Sequence, residues 1–172
     1  MKYEHLVEVE RSTQRWLRTL TAMVLLAGSV QTKADFESGL SAYRTGSYGE
    51  AFDEWQQCAN EGVAACQYAF GVLYDEGRSV KSDLYAALRW YERAARQANP
   101  DAMMQLGFLY ATGRGDIVQN AVLAWVWFAR AAALGVEQAA QNRDRIRELL
   151  TGSELADAQR RADQLSIEYH QQ

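Results

Sequence analysis

The sequence has little proline and little histidine. Proline occurs once in 172 residues, as Pro100, and histidine twice, as His5 and His170. β-Sandwiches and barrels need many turns, so a single proline disfavours both classes and favours an all-α chain. Two histidines near opposite ends of the chain argue against a His-based catalytic centre and against a zinc site in the core.

The uncharged apolar run near the N-terminus is too short to cross a bilayer. Thr19–Thr32 has 14 residues, whereas a membrane-spanning helix needs about 20. The run follows Arg11, Arg15 and Arg18 and precedes a Thr-Lys-Ala sequence ending at Ala34, with small residues at the −3 and −1 positions of a secretory cleavage site. We predict a signal peptide over 1–34 and a periplasmic or secreted mature protein. The alternative is an uncleaved N-terminal helix that packs or anchors.

Lysine is nearly absent from the rest of the chain, where Lys81 is the only one. Without the five basic and three acidic side chains of residues 1–34, the remainder carries 13 basic and 19 acidic side chains, a formal net charge of −6. A domain this acidic is poorly suited to attract nucleic acid or anionic lipid over long range. We therefore predict no nucleic-acid partner. We also predict that the mature chain has no membrane span and is a monomer.

The remainder of the chain repeats itself with a period of 36 residues. The clearest matches are Gly71, Tyr74 and Gly77, which recur as Gly107, Tyr110 and Gly113. Apolar positions at helical spacing and closing glycines predict two helices per unit, and several pairs must stack to bury their apolar faces. The predicted units are 35–62, 63–98, 99–135 and a partial 136–152. A capping helix and tail over 153–172 follow, with Ser153 as the N-cap.

The repeated pattern is Ala-x-x-x-Tyr/Phe-x-x-Ala-Ala, followed by Ala-x-x-x-Leu/Phe-Gly-x-x-Tyr-x-x-Gly-x-Gly-Val/Ile. Over residues 48–140 it resembles the Sel1-like repeat of the tetratricopeptide-repeat superfamily, in an exported bacterial type. Residues 36–51 resemble an ordinary tetratricopeptide motif. The resemblance implies a right-handed solenoid of three to four helical hairpins that acts as a protein-binding scaffold. It implies no chemistry.

The resemblance also implies which residues face a partner, because the first helix of each pair lines the concave face in related arrays. We define the aromatic groove as the eight residues at those positions: Phe36, Leu40, Tyr43, Tyr68, Val72, Asp75, Met104 and Phe108. Its apolar stripe and acidic edge suit a peptide or helix with apolar anchors and some positive charge. Alternatively, the helix pairs curve tightly and these side chains belong to the core.

The two cysteines, Cys58 and Cys66, are eight residues apart. They occupy repeat positions that hold Ala94 and Ala102 in the next unit, where small residues indicate close helix contact. The pair is therefore either a disulfide, which an exported protein would retain, or two buried unpaired thiols. Cysteine-containing members of the same repeat family carry pairs at this spacing that bridge two helices, which implies the disulfide.

The sequence contains no arrangement that suits an enzyme. Asp75 and Glu76 are adjacent, but neighbouring side chains on a helix point about 100° apart, and Ser-x-x-Lys is absent. We predict no catalytic residue, metal or cofactor, and a scaffold or adaptor in the bacterial periplasm or cell envelope that binds another protein. The alternatives are an inhibitor or immunity-type binder of one secreted protein, and an enzyme acting on cell-wall material.

Overall fold

The computed structural model describes residues 33–170, with side chains up to residue 165, and this part consists of helices and connecting loops without any strand. In chain order the helices are α1 (33–45), α2 (Tyr48–Asn60), α3 (Ala64–Glu76), α4 (Leu84–Arg96), α5 (Pro100–Thr112), α6 (Ala121–Ala133), α7 (Glu137–Arg147) and α8 (Gly152–His170). The predicted all-α class is confirmed. The predicted signal peptide lies outside the described residues, apart from its last two.

The helix boundaries follow the local signals in the sequence. Side-chain oxygens of Asp83, Asn99 and Asn120 accept hydrogen bonds from backbone N–H groups in the first turns of α4, α5 and α6, which satisfies donors that have no partner within the helix. Gly77 and Gly113 end α3 and α5 in the left-handed conformation, with φ of 68° and 62°. Glycine adopts this conformation without steric cost.

Close contact between helices depends on three glycines, each of which faces a ring on the following helix. The pairs are Gly39 with Trp55, Gly71 with Tyr91, and Gly107 with Phe128. A Cβ atom on these glycines would lie 2.3, 2.7 and 2.5 Å, respectively, from the nearest ring atom. The three rings are buried, so any side chain larger than hydrogen would separate the helices of a pair.

The last helix closes the array by packing on α6. Ala158 of α8 shares a core cluster with Trp125 and Val126 of α6, and Leu155 and Ala162 pack beside it. The apolar side chains of α8 therefore face α6. Because α6 contacts α5, α7 and α8, it is apolar on nearly all sides, as expected of a helix with little solvent-facing surface.

The prediction that Ser153 caps the last helix is wrong. The helix begins one residue earlier, at Gly152, so Ser153 lies inside its first turn. Thr151 Oγ1 accepts a hydrogen bond from Glu154 N at 3.3 Å, and Glu154 Oε2 accepts one from Thr151 N at 2.9 Å. This reciprocal pair is a capping box, in which two exposed backbone donors are satisfied together. Thr151 is therefore the cap.

Candidate protein-binding groove

The aromatic groove lies on α1, α3 and α5, which side-chain contacts join into one surface. Tyr43 of α1 donates a hydrogen bond to Glu76 of α3, and Arg114, which follows α5, forms a salt bridge with Asp75 of α3. Seven of the eight groove residues reach solvent with their side chains, Asp75 being the exception at 8% exposed, and Phe108 is the most open at 41% exposed. These seven side chains also pack on the core.

Each aromatic residue of the groove rests on a ring of the next helix. The centroid distances are 6.4 Å for Phe36–Trp55, 5.5 Å for Tyr43–Trp55, 5.8 Å for Tyr68–Tyr91 and 5.3 Å for Phe108–Phe128. The supporting rings are those that face the three glycines. One side of each groove ring is already packed against another ring. A partner that covers the other side therefore restricts little further side-chain motion, so the entropy cost of binding is small.

The carboxylate of Asp75 is engaged within the protein. Its side chain is 8% exposed, accepts a hydrogen bond from the Tyr91 hydroxyl at 3.2 Å and pairs with the Arg114 guanidinium. Asp75 therefore holds α3 to the repeat that follows. Its charge is compensated by Arg114, so it contributes less to the predicted acidic edge than an unpaired carboxylate would.

The exposed carboxylate at this edge belongs to Glu76. Its side chain is 43% exposed, accepts a hydrogen bond from the Tyr43 hydroxyl and lies 3.5 Å from Nε of Arg78. The Arg78 guanidinium lies 4.9 Å from the ring centroid of Tyr48. Burial, and then the hydrogen bond to Glu76, raises the pKa of Tyr43 to about 12. Tyr43 is thus protonated at neutral pH and remains a donor.

Tyr43 is expected to make stability depend on pH in the alkaline range. Its pKa is about 10 in an unfolded chain and about 12 in the folded protein, so the folded state retains a proton that the unfolded state loses. The contribution is complete below pH 10 and declines as the pH rises from 10 to 12. Urea unfolding at pH 9 and pH 11 should show a smaller loss for Tyr43→Phe than for the unsubstituted protein. Equal losses in both proteins would contradict the assignment.

Sequence reasoning missed two residues of the groove's polar network, Tyr91 and Arg114. Both sit at positions that the repeat marks, since Arg114 recurs 36 residues after Arg78 and Tyr91 matches Trp55. The two arginines nevertheless act differently, because Arg78 pairs with Glu76 inside its own repeat and Arg114 reaches back to Asp75 in the preceding one. A repeat register identifies equivalent positions, but it does not state which carboxylate each arginine reaches.

A disulfide joins α2 and α3 within the core cluster on which Phe36, Leu40 and Tyr43 pack. Cys58 and Cys66 are bonded, with their Cα atoms 5.8 Å apart, and both side chains are fully buried. The bond closes the turn between the two helices. Among residues 33–170 there is no cluster of His, Cys, Asp and Glu suited to a metal ion, and no helix in this part is long and apolar enough to cross a membrane.

Comparison with known families identifies two repeats in the middle of the chain. The Sel1 repeat model matches residues 63–99 and 100–136, which correspond to α3–α4 and α5–α6. Chitin synthase regulatory factor 3 of Schizosaccharomyces pombe is 38% identical over 84 residues, which cover 44% of this chain and 9% of that protein. The chain therefore matches only a small part of this relative.

Solved structures share the arrangement of helices. A protective antigen of uropathogenic Escherichia coli, described as having an SLR fold, superposes with a TM-score of 0.76 at 27% identity, covering 83% of this chain and 31% of that one. A Sel1 repeat protein from Oxalobacter formigenes superposes with a TM-score of 0.59 at 32% identity, covering 74% of this chain and 98% of that one. The helical repeat fold is thus confirmed by proteins of known structure.

Proposed function

The chain belongs to the Sel1 repeat family, and from that membership we propose that it is a non-catalytic scaffold or adaptor of the bacterial periplasm or cell envelope. Sel1 repeat proteins are generally protein-interaction scaffolds. In this chain the aromatic groove would bind a peptide or helix of another protein. An inhibitor or immunity-type binder of one secreted protein would use the same groove and differ only in its partner.

The observation that carries this proposal is the row of supported, half-exposed rings on α3 and α5. Tyr68 and Phe108 each pack one side on a core ring, at 5.8 and 5.3 Å, and Met104 lies partly exposed on α5. Rigid aromatic and flexible Met side chains on one surface are typical of sites that accept apolar anchors. The partner is expected to insert one or two large apolar side chains here.

The groove offers a positively charged partner fewer unpaired carboxylates than the sequence predicts. Asp75 is paired with Arg114, which leaves Glu76 as the solvent-open carboxylate at the edge of the groove. A cation of the partner would compete with Arg78 for Glu76. Exposed ion pairs contribute about 1 kcal/mol or less, so the apolar anchors would supply most of the affinity.

Photo-crosslinking inside cells tests the groove directly. Benzoylphenylalanine in place of Phe108 should form one predominant adduct with a partner protein, and this adduct should disappear when Tyr68→Ala is added. The same amino acid in place of Leu134, which is 50% exposed after α6 and outside the groove, is the matched control. Circular dichroism must show that the Tyr68→Ala chain is folded. An adduct that also forms from position 134, or that survives Tyr68→Ala, would contradict the groove proposal.

The proposed compartment can be tested by the intact mass of the protein from its own cells, measured without and with reductant. Export predicts a chain that begins at Asp35 and gains two hydrogens on reduction, because secreted compartments preserve disulfides. The apolar run Thr19–Thr32 and the Cys58–Cys66 bond support this expectation. A full-length chain with free thiols would overturn the periplasmic assignment and direct the partner search to the cytoplasm.

A further inference from the structure

The second helices of the repeats carry another feature, on different helices from those of the aromatic groove. The helices α4 and α6 are equivalent members of successive repeats, with a register of 37 residues between them. Trp90 and Arg93 of α4 therefore correspond to Trp127 and Arg130 of α6. In both helices the guanidinium lies over the indole, at 4.4 Å for the first pair and 5.9 Å for the second. The same Trp–Arg cation–π pair thus occurs twice.

The Trp–Arg pairs of α4 and α6 differ in what covers them. On α6, Arg130 is 8% exposed because α8 crosses this face. Arg130 shares the wall of a cavity of about 330 Å³ with Gln159 and Asp163 of α8. On α4, Arg93 is exposed and no helix of residues 33–170 packs over it. The fold therefore shows how a helix lies on the Trp–Arg pair of α6, whereas the pair of α4 is left open to solvent.

The residues around the Trp–Arg pair of α4 indicate which side chains a helix that binds there needs. Where α8 meets Val126, Ala129 and Ala133 of α6, the equivalent residues of α4 are Arg89, Glu92 and Arg96. With Arg93 this face has three exposed arginines and one carboxylate, although residues 35–172 as a whole carry a formal net charge of −6. Glu92 interacts electrostatically with Arg96 and Arg89, but among the described residues no carboxylate lies within salt-bridge distance of the three arginines. A helix that presented an apolar stripe, as α8 does to α6, would leave most of this positive charge uncompensated.

The Arg93 side chain is held in place before any partner arrives. Its guanidinium stacks on Trp90, and Trp90 in turn packs edge-on against Phe70 of α3 with centroids 5.1 Å apart. A stacked guanidinium keeps its N–H groups free in its own plane, where they can bind a carboxylate through two parallel hydrogen bonds. Folding has therefore already restricted the Arg93 side chain, so binding a partner costs little further side-chain entropy.

We propose that the outer face of α4, defined by Arg89, Trp90, Arg93 and Arg96, binds an acidic helix of another protein in the way that α8 lies on α6. The arginines recur at intervals of four and three residues, so they form a stripe along one side of α4. A partner helix with Asp or Glu at matching intervals would place carboxylates along that stripe. This surface lies on a different set of helices from the aromatic groove, so one scaffold could hold two partners.

Two synthetic peptides of 18 residues test the proposal. One is an alanine-based helix with glutamate at intervals of four and three residues, and the other has glutamine at the same positions. NMR titration of the full protein, followed through arginine Nε–H signals, should give at least a tenfold lower Kd for the glutamate peptide. Raising the salt concentration from 50 to 300 mM should weaken its binding at least fivefold, because exposed charges are screened. No difference between the peptides would overturn the proposal.

Variants assign the binding to α4. The triple variant Arg89→Gln, Arg93→Gln, Arg96→Gln should raise the Kd of the glutamate peptide at least tenfold. The matched triple variant of α7, Arg143→Gln, Arg145→Gln, Arg147→Gln, should change it less than twofold, as should Phe108→Ala in the aromatic groove. Equal effects of the α4 and α7 variants would overturn the proposal. Because Phe108→Ala is neutral here, failure of this proposal and failure of the groove proposal are distinguishable.

Two further measurements separate other occupants from an acidic helix. A glutamate peptide with a central proline, which breaks the helix, should bind at least fivefold more weakly. Equal binding would show that this face attracts any polyanion and would overturn the helical partner. Sedimentation of the protein alone should show no association that the α4 variant abolishes. A dimer that the α4 variant disperses would assign the face to a second copy of this chain instead.

Discussion

Replacing Gly107 with alanine is expected to lower the free energy of unfolding by about 1–2 kcal/mol. The new Cβ would lie 2.5 Å from Cε1 and 2.6 Å from Cδ1 of Phe128, a ring that is fully buried and also packed against Phe108. Overpacking in a core costs about 1–3 kcal/mol, and at this distance the cost exceeds the gain of about 1 kcal/mol that alanine brings to a helix. Urea unfolding measures the change directly.

Gly49 supplies the matched control for this substitution. It also lies in a helix, α2, but nothing is within 4 Å of the position where its Cβ would be. Gly49→Ala should therefore raise the free energy of unfolding by about 0.5 kcal/mol, since alanine restricts the unfolded chain more than glycine does. If the two substitutions change stability equally, the glycine–ring contact does not limit the helix spacing.

A compensating substitution sharpens the test. Shortening the ring side chain with Phe128→Leu would destabilise the core on its own, because it leaves space unfilled. In that background the alanine methyl at position 107 has room, so Gly107→Ala should cost at least about 1 kcal/mol less than in the unsubstituted protein. Such coupling between two substitutions is what contact between the two residues requires. Purely additive effects would contradict it.

The repeat register explains why the fold could be predicted from the sequence. Gly71 and Gly107 recur with the same period as the rings at positions 91 and 128, apart from one residue inserted in the loop after Gly113. Capping residues such as Asn99 and Gly113 act locally, so the boundaries of α5 follow from a few residues. Wherever packing is pairwise and repeated, one unit specifies the next.

The charged parts of the surface were harder to predict. Arginine and glutamate side chains reach several ångströms, so the pairing of Asp75 with Arg114 across a repeat boundary depends on helix placement that no local pattern encodes. A local pattern favours Ser153 as the cap of α8, because serine suits an N-cap and Ser153 precedes the apolar residues of this helix. The reciprocal bonds between Thr151 and Glu154 decide the matter in the structure.

Removing the disulfide is expected to lower the free energy of unfolding by about 2.5 kcal/mol, the loop-closure entropy for a cross-link between residues eight apart. The double variant Cys58→Ala, Cys66→Ala should show this loss with little further cost. The reason is that the equivalent positions of the next repeat already hold Ala94 and Ala102, both fully buried. Urea unfolding with and without dithiothreitol measures the effect. The unsubstituted protein should lose stability in reductant, whereas the double variant should not respond.

The disulfide is also expected to be reduced slowly while the protein is folded. Because both sulfur atoms are fully buried, a thiol reagent must wait until the turn between α2 and α3 opens, and reduction should accelerate at urea concentrations that populate this local opening. Reduction as fast in the native protein as in the unfolded chain would contradict the burial. If reduction is slow while the protein is folded, the bond survives brief exposure to a reducing environment. Slow reduction would delay the loss of the bond but not prevent it, so lasting retention still requires an oxidising compartment.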